Sequence, residues 1–132
     1  MILSTAALCL ALNVYHESRG ESIPGQYAVA LVTMNRAAHK PANICKTVLA
    51  KKQFSWTNNL VAGKSLKPAG IPKDDWAWQR AWTVANVTLG GRFHDFTNGS
   101  THYHVREIKP VWRHDLKVTK VIGKHVFYRT LA

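Results

Sequence analysis

The sequence predicts one α+β domain over residues 1–132, with a helical lobe first and a small antiparallel β lobe after it. Three observations carry this. Before residue 90, apolar residues recur in stretches at intervals of three and four, the period of helices with a buried face. After Gly91 the pattern turns to alternating, β-branched and aromatic residues around turn signals. The chain is 132 residues long, 46% hydrophobic and 19% charged, enough for one core but not two, and its five Trp, four Tyr and four Phe exclude a disordered chain.

The elements follow in order. Leu3, Ala6 and Ala7, Leu10 and Val14 give a first helix from Ile2 to about Ser18, ended by Gly20. Ile23-Pro24-Gly25 opens a second, with Tyr27, Ala30, Leu31 and Met34 on one face, running to about Ala38 before His39-Lys40-Pro41 stops the pattern. A short third helix is expected from Ile44 to Lys51. Residues 57–73 carry Asn58-Asn59, Gly63, Pro68, Gly70 and Pro72, and read as a long exposed loop of the kind that often serves function. Asp74 or Asp75 then caps a helix whose Trp78, Ala81, Trp82, Ala85 and Leu89 form a core-facing stripe, closed by Gly90-Gly91. Beyond it, Asn98-Gly99 marks a turn before the alternating run to Val105, and Val118 to Arg129 forms strand sequence on both sides of Gly123.

The formal charge of +11 is uneven. Residues 1–35 hold one cation against two anions, and the rest of the chain holds seventeen against five. The cations are scattered singletons, with no zinc-finger spacing and no continuous basic helix, so specific nucleic-acid recognition has no support. A basic surface attracted to anionic polymers fits better. Cys9 and Cys45 are too few for a disulfide scaffold, and Cys9, inside Leu8-Cys9-Leu10-Ala11-Leu12, reads as a small buried hydrophobe. The apolar start has no cationic region ahead of it and runs directly into Tyr15-His16-Glu17, which marks a core helix and not a signal peptide. It is shorter than the ~20 apolar residues of a membrane span. The expectation is a soluble monomer made in the cytoplasm without an export signal of its own.

Glu17 is the first residue that calls for a chemical role, because it follows an apolar helix in a chain with seven acidic residues. Burial there disfavours the ionised carboxylate and raises its pKa, the condition for a general acid near neutral pH. The competing role is a structural ion pair with Arg19 or Arg36. Glu21 follows four residues later, as a second carboxylate across a scissile glycosidic bond, as a cap for the second helix, or as a partner of Arg19. His102 and His104 share one face of a strand with Tyr103 between them, an arrangement open to zinc with a third ligand elsewhere, or to hydrogen bonding with substrate or with a carboxylate. Gln53-Phe54-Ser55-Trp56 combines an amide, a hydroxyl and two aromatic faces, a mixture suited to saccharides.

The strings Ala11-Leu12-Asn13-Val14-Tyr15-His16-Glu17-Ser18-Arg19-Gly20-Glu21, Gly25-Gln26-Tyr27-Ala28-Val29-Ala30 and Asn35-Arg36 together resemble the opening of the spore-cortex-lytic, SleB-like cell wall hydrolases. Gln53-Phe54-Ser55-Trp56, Thr101-His102-Tyr103-His104, Pro110 with Trp112, and Ile122-Gly123-Lys124-His125-Val126-Phe127-Tyr128 continue the likeness in the family's order, over about residues 8–128. The departure is Ser18, where family members commonly carry Ala.

That resemblance implies a lysozyme-like peptidoglycan-cleaving domain acting as a lytic transglycosylase, with Glu17 as its catalytic acid and no cofactor or metal. Gln53, Ser55, Trp56, His102, Tyr103 and His104 are the residues expected to contact the glycan. A further departure from the family, the absence of a signal sequence and of any wall-binding repeat, suits a single-domain phage endolysin, which a holin would release to the wall and anionic envelope polymers would retain there. Muramidase-type hydrolysis, a zinc-dependent amidase or endopeptidase built on His102 and His104, and a non-catalytic wall-binding module are the alternatives.

Overall fold

The computed structural model describes residues 5–50, 76–91 and 93–131. Four helices, α1 (Ala6–Ser18), α2 (Ile23–Arg36), α3 (Pro41–Leu49) and α4 (Trp76–Gly90), precede three strands, β1 (His102–Val105), β2 (Lys117–Ile122) and β3 (His125–Arg129). A 3-10 turn at Val111–Asp115 separates β1 from β2. The strands form one antiparallel sheet in the order β1-β3-β2.

Local chemistry sets the helix ends. The Thr5 hydroxyl accepts the Leu8 N–H at 3.2 Å and so caps α1. Ser22 does the same for α2 through Gly25 N–H at 3.3 Å, with Pro24 in the first turn, where its missing N–H costs nothing. Pro41 likewise begins α3. The sequence reading took His39-Lys40-Pro41 as a stop and started the third helix at Ile44, whereas the proline opens the helix three residues earlier. The chain reverses just before it, at Ala38 and His39, both in the left-handed region with φ of 55° and 59°.

α1 is the axis of the helical lobe. Leu8, Cys9, Leu10, Ala11, Leu12 and Val14 are buried on nearly every side of it, against Ala30 and Met34 of α2, Ile44 and Val48 of α3, and Ala81, Val84 and Ala85 of α4. Three of the sequence expectations change here. Cys9 is not a free buried thiol: it is bonded to Cys45 and ties α1 to α3 across 36 residues. Trp82 does not sit in the core but on its rim, 42% exposed, because Val84 and Ala85 take the inward positions of α4. α2 buries two stripes instead of one, since Ala28, Val29 and Val32 turn away from α1 to meet Phe127 of β3.

That second stripe joins the lobes. Phe127 is wholly buried, with Phe96, Tyr103 and Ile122 packed around the same cluster. Strand alternation puts Tyr103, His125 and Phe127 on the helix-facing side and His102, His104 and Tyr128 on the other, as the pairings Tyr103 with Phe127 and His102 with Tyr128 require. The entrance to β1 is organised by Asp95. Its carboxylate accepts the Thr97 N–H (2.8 Å), the Thr97 hydroxyl (2.6 Å), the Gly99 N–H (3.0 Å) and the Asn35 amide (3.0 Å). Asn98 and Gly99 both take positive φ in that turn. A register shift between Val118 and Lys120 bulges β2 and lets the Thr119 hydroxyl reach the Phe127 carbonyl.

The expected loop 57–73, the Asp74 or Asp75 cap, and Gln53, Ser55 and Trp56 lie outside the described residues. Among the described residues no helix is long and apolar enough to cross a membrane.

Candidate active site

Glu17 occupies the last turn of α1, where the helix leaves the core and the sheet comes up against it. Its carboxyl is partly buried, and that burial raises its pKa, with a hydrogen bond from Tyr103 opposing the rise. The Tyr103 hydroxyl donates to Glu17 Oε1 at 3.2 Å, across 86 residues of sequence. Burial, and then the neighbouring Glu17 charge, push the phenol well above its ordinary range, so Tyr103 stays a neutral donor at any physiological pH. Arg36, at the end of α2, stands close enough to moderate that rise. The Arg19 guanidinium lies over the Tyr15 ring, 4.8 Å from its centre, and the Glu17 carboxyl takes its hydrogen bond from the phenol.

The strand that delivers Tyr103 also carries the two histidines, facing away from Glu17. His104 stacks on Tyr128 with ring centres 5.3 Å apart. Its Nε2 is 2.8 Å from the Tyr128 hydroxyl and its Nδ1 is 2.7 Å from the Val105 carbonyl, so both nitrogens are occupied within the β lobe. His102 packs on Trp112 at 5.1 Å, with Nδ1 2.9 Å from the Thr101 hydroxyl. Burial, and then the charge of Arg36, hold its imidazole below the ordinary value and therefore neutral at pH 7. Among the described residues no group of three His, Cys, Asp or Glu side chains is arranged to hold a metal ion. Of the seven residues expected to act on substrate, the structure thus brings Glu17 and Tyr103 together and places His102 and His104 on the opposite face of the same strand. Gln53, Ser55 and Trp56 are not described.

Two further residues, Glu21 and His125, stand near Glu17 in contacts that the sequence did not predict. Glu21 does not cap α2, a role that Ser22 takes, and it does not bind Arg19. Its Oε1 accepts the Lys124 N–H at 3.2 Å and lies 3.3 Å from His125 Nδ1. The buried His125 ring stands edge-on to Tyr103, 5.3 Å between centres and 85° between planes. Both contacts join residues more than a hundred positions apart, so nothing in local spacing announces them. A separate apolar concavity of about 530 Å³, lined by Ile23, Pro24, Tyr27, Val87, Phe93 and Phe96, does not include the acid.

A helical lobe, a three-stranded sheet against one side of it, and a carboxyl at their junction whose pKa is raised by burial make up a lysozyme-like, α+β enzyme domain. Residues 20–128 match the cell wall hydrolase family, and the chain belongs to that family. The match starts three residues after Glu17. The fold is similar to that of the catalytic domain of the Bacillus cereus SleB protein, at 23% identity and a TM-score of 0.69, over 98% of this chain and 93% of that one. It is equally similar to the catalytic domain of the germination-specific lytic transglycosylase SleB from Bacillus anthracis, at 24% identity and a TM-score of 0.68, over 94% and 93% of the two chains. No curated protein matches the sequence.

Proposed function

We propose that this cell wall hydrolase cleaves peptidoglycan glycan strands between N-acetylmuramic acid and N-acetylglucosamine as a lytic transglycosylase, with Glu17 as its single general acid and base. The observation that carries the reading is the Glu17 carboxyl itself: partly buried at the lobe junction, raised in pKa, and hydrogen-bonded by a neutral phenol that donates to it. The family and the named activity of the Bacillus anthracis relative support the choice of substrate and reaction.

The chemistry needs one carboxyl group. Protonated Glu17 gives its proton to the glycosidic oxygen as the C1–O bond of the muramoyl residue breaks and the N-acetylglucosamine leaves as an alcohol. The resulting carboxylate accepts the proton of the muramoyl 6-hydroxyl, whose oxygen closes on C1. The product is a 1,6-anhydromuramoyl end, and Glu17 is protonated again. Tyr103 donates to the same carboxyl throughout, stabilising it in the half of the cycle when it is charged. Because the nucleophile belongs to the substrate, no second carboxylate opposite Glu17 is required, which leaves Glu21 free for the contacts it makes with β3.

Glu17→Gln should remain folded and lose at least 100-fold in wall-lytic rate, about the share of catalysis that a positioned acid supplies. Mass spectrometry of peptidoglycan digested by the parent enzyme should show anhydromuramoyl ends. Reducing muramic acid ends would replace transglycosylation by hydrolysis, and cleaved stem peptides would end the glycosidase reading. We also propose that it acts in the manner of a phage endolysin, given access to the wall by a holin. The +11 charge, carried entirely beyond residue 35, supports its retention by anionic envelope polymers.

A further inference from the structure

Glu21 sits in a seat shaped for it. Its Cβ lies where a side chain at position 25 would press, 3.1 Å from a Cβ built on Gly25. Its Oε1 lies 2.9 Å from a Cβ built on Gly123, a residue that also needs the left-handed φ of +54° to make the β2–β3 turn. Glycine at both positions therefore leaves room for this one carboxylate between α2 and the hairpin. Its backbone is held as well, because the buried Gln26 donates its side-chain amide to the Glu21 carbonyl at 3.3 Å. The carboxylate spends its acceptor capacity on the hairpin, taking the Lys124 N–H and facing His125 Nδ1.

From there a line of contacts leads to the acid. His125 stands edge-on to the Tyr103 ring, Phe127 packs beside both, and the Tyr103 hydroxyl donates to Glu17. We propose that Glu21 is a positioning residue: it clamps the β2–β3 turn and His125 onto the α1–α2 turn, and His125 in turn fixes where the Tyr103 hydroxyl meets Glu17. The inference rests on Glu17 being the acid, and it gives Glu21 work in the reaction without contact with substrate. The charged and titratable groups along the line are His16, Glu17 and Arg19 on α1 and its end, Glu21 in the turn, Arg36 on α2, Tyr103 on β1 and His125 on β3.

The test compares Glu21→Ala and Glu21→Gln in the full chain by three measurements: thermal unfolding, kcat and KM on soluble peptidoglycan fragments, and the titration of the Glu17 carboxyl by carbon-13 NMR. Glu21→Ala should lower kcat about 10- to 100-fold with KM changed less than about 2-fold, the signature of a displaced catalytic contact. The Glu17 titration should shift away from that of the parent, because the Tyr103 hydrogen bond that lowers its pKa is displaced. Glu21→Gln keeps one acceptor oxygen for the Lys124 N–H and should recover most of the lost kcat. A fall in melting temperature alone, with kcat and the Glu17 titration unchanged, would overturn the proposal. If Glu21→Ala does not fold, Gly123→Ala applies the same displacement by crowding Oε1, and the same readings decide. An active Glu17→Gln enzyme would instead refute the acid, a result separable from this one because the NMR titration reports on the clamp without any turnover.

Discussion

The two lobes are held together by different physics. The helical lobe is an aliphatic core wrapped around α1, with residues such as Leu10, Ala11 and Val14 sealed from water, and one covalent tie from Cys9 to Cys45. The β lobe buries little aliphatic surface of its own. It is held by stacked rings, Trp112, His102, His104 and Tyr128 on one face and Tyr103, His125 and Phe127 on the other, and by hydrogen bonds converging on Asp95. The site lies where the two regimes meet. The apolar lobe provides the burial that raises the Glu17 pKa, and the hydrogen-bonded lobe provides the directed donor, which an aliphatic core has no means of aiming.

This contrast can be broken from either side, and the expected effects form a series. The largest belongs to the disulfide. Closing a loop of 36 residues should stabilise the native state by about 4 kcal/mol if chain entropy dominates. Reduction, or Cys45→Ala, should therefore lower the free energy of unfolding by several kcal/mol and move the denaturant midpoint down with it. An unchanged midpoint would mean that aliphatic packing alone holds the helical lobe.

Asp95 comes next. Burial pushes its carboxyl up, but hydrogen bonds from the Thr97 side chain, Asn35, and the Thr97 and Gly99 N–H groups together outweigh it and hold its pKa below the ordinary value. A depressed native pKa contributes stability that is complete above the unfolded value near pH 4 and is lost as pH falls through the native one. Asp95→Asn should thus cost about 2 kcal/mol at pH 7. In urea unfolding the gap between variant and parent should close as pH falls below about 4. A gap that stays constant with pH would assign the loss to packing in place of charge.

The smallest effect has the opposite sign. The native pKa of Glu17 is raised, so its contribution to stability is most favourable below the unfolded value and becomes a penalty as pH rises through the native one. Glu17→Gln should therefore melt higher than the parent at pH 7 to 8 and lose that advantage near pH 4. Gained stability beside lost activity would mark the acid as a group held at a cost. A variant less stable at every pH would point to a structural role for the carboxylate.

Much of the fold was legible along the chain, and the exceptions have specific causes. The helix-then-sheet order follows from local periodicity, and the first and second helices and the hairpin around Gly123 appear where the spacing predicts them. Pro41 misled because proline stops one helix and starts another by the same missing N–H, and which applies depends on where the preceding residues turn. Trp82 misled because its spacing fits the inner stripe of α4, while the room inside the lobe suits the smaller Val84 and Ala85. The site divides in a similar way. Glu17 stood out as a carboxylate ending an apolar helix in a chain with few acids, and Tyr103 stood out only as one member of a His-Tyr-His strand. Which of those three rings faces the acid is a matter of strand phase, and the pairing of Tyr103 with Phe127 sets that phase.

The sequence by itself determined the α+β order, the helix that ends at the acid, and the family motifs, because each rests on interactions between residues a few positions apart. Only the tertiary structure decided the Cys9–Cys45 pairing, the bond from Tyr103 to Glu17, and the docking of Glu21 on the β2–β3 turn. Those contacts span 36, 86 and 103 positions. No local propensity encodes them, since Cys9 meets Cys45 only where α1 packs on α3, and the other two pairs meet only where the second apolar face of α2 holds the sheet against the helices.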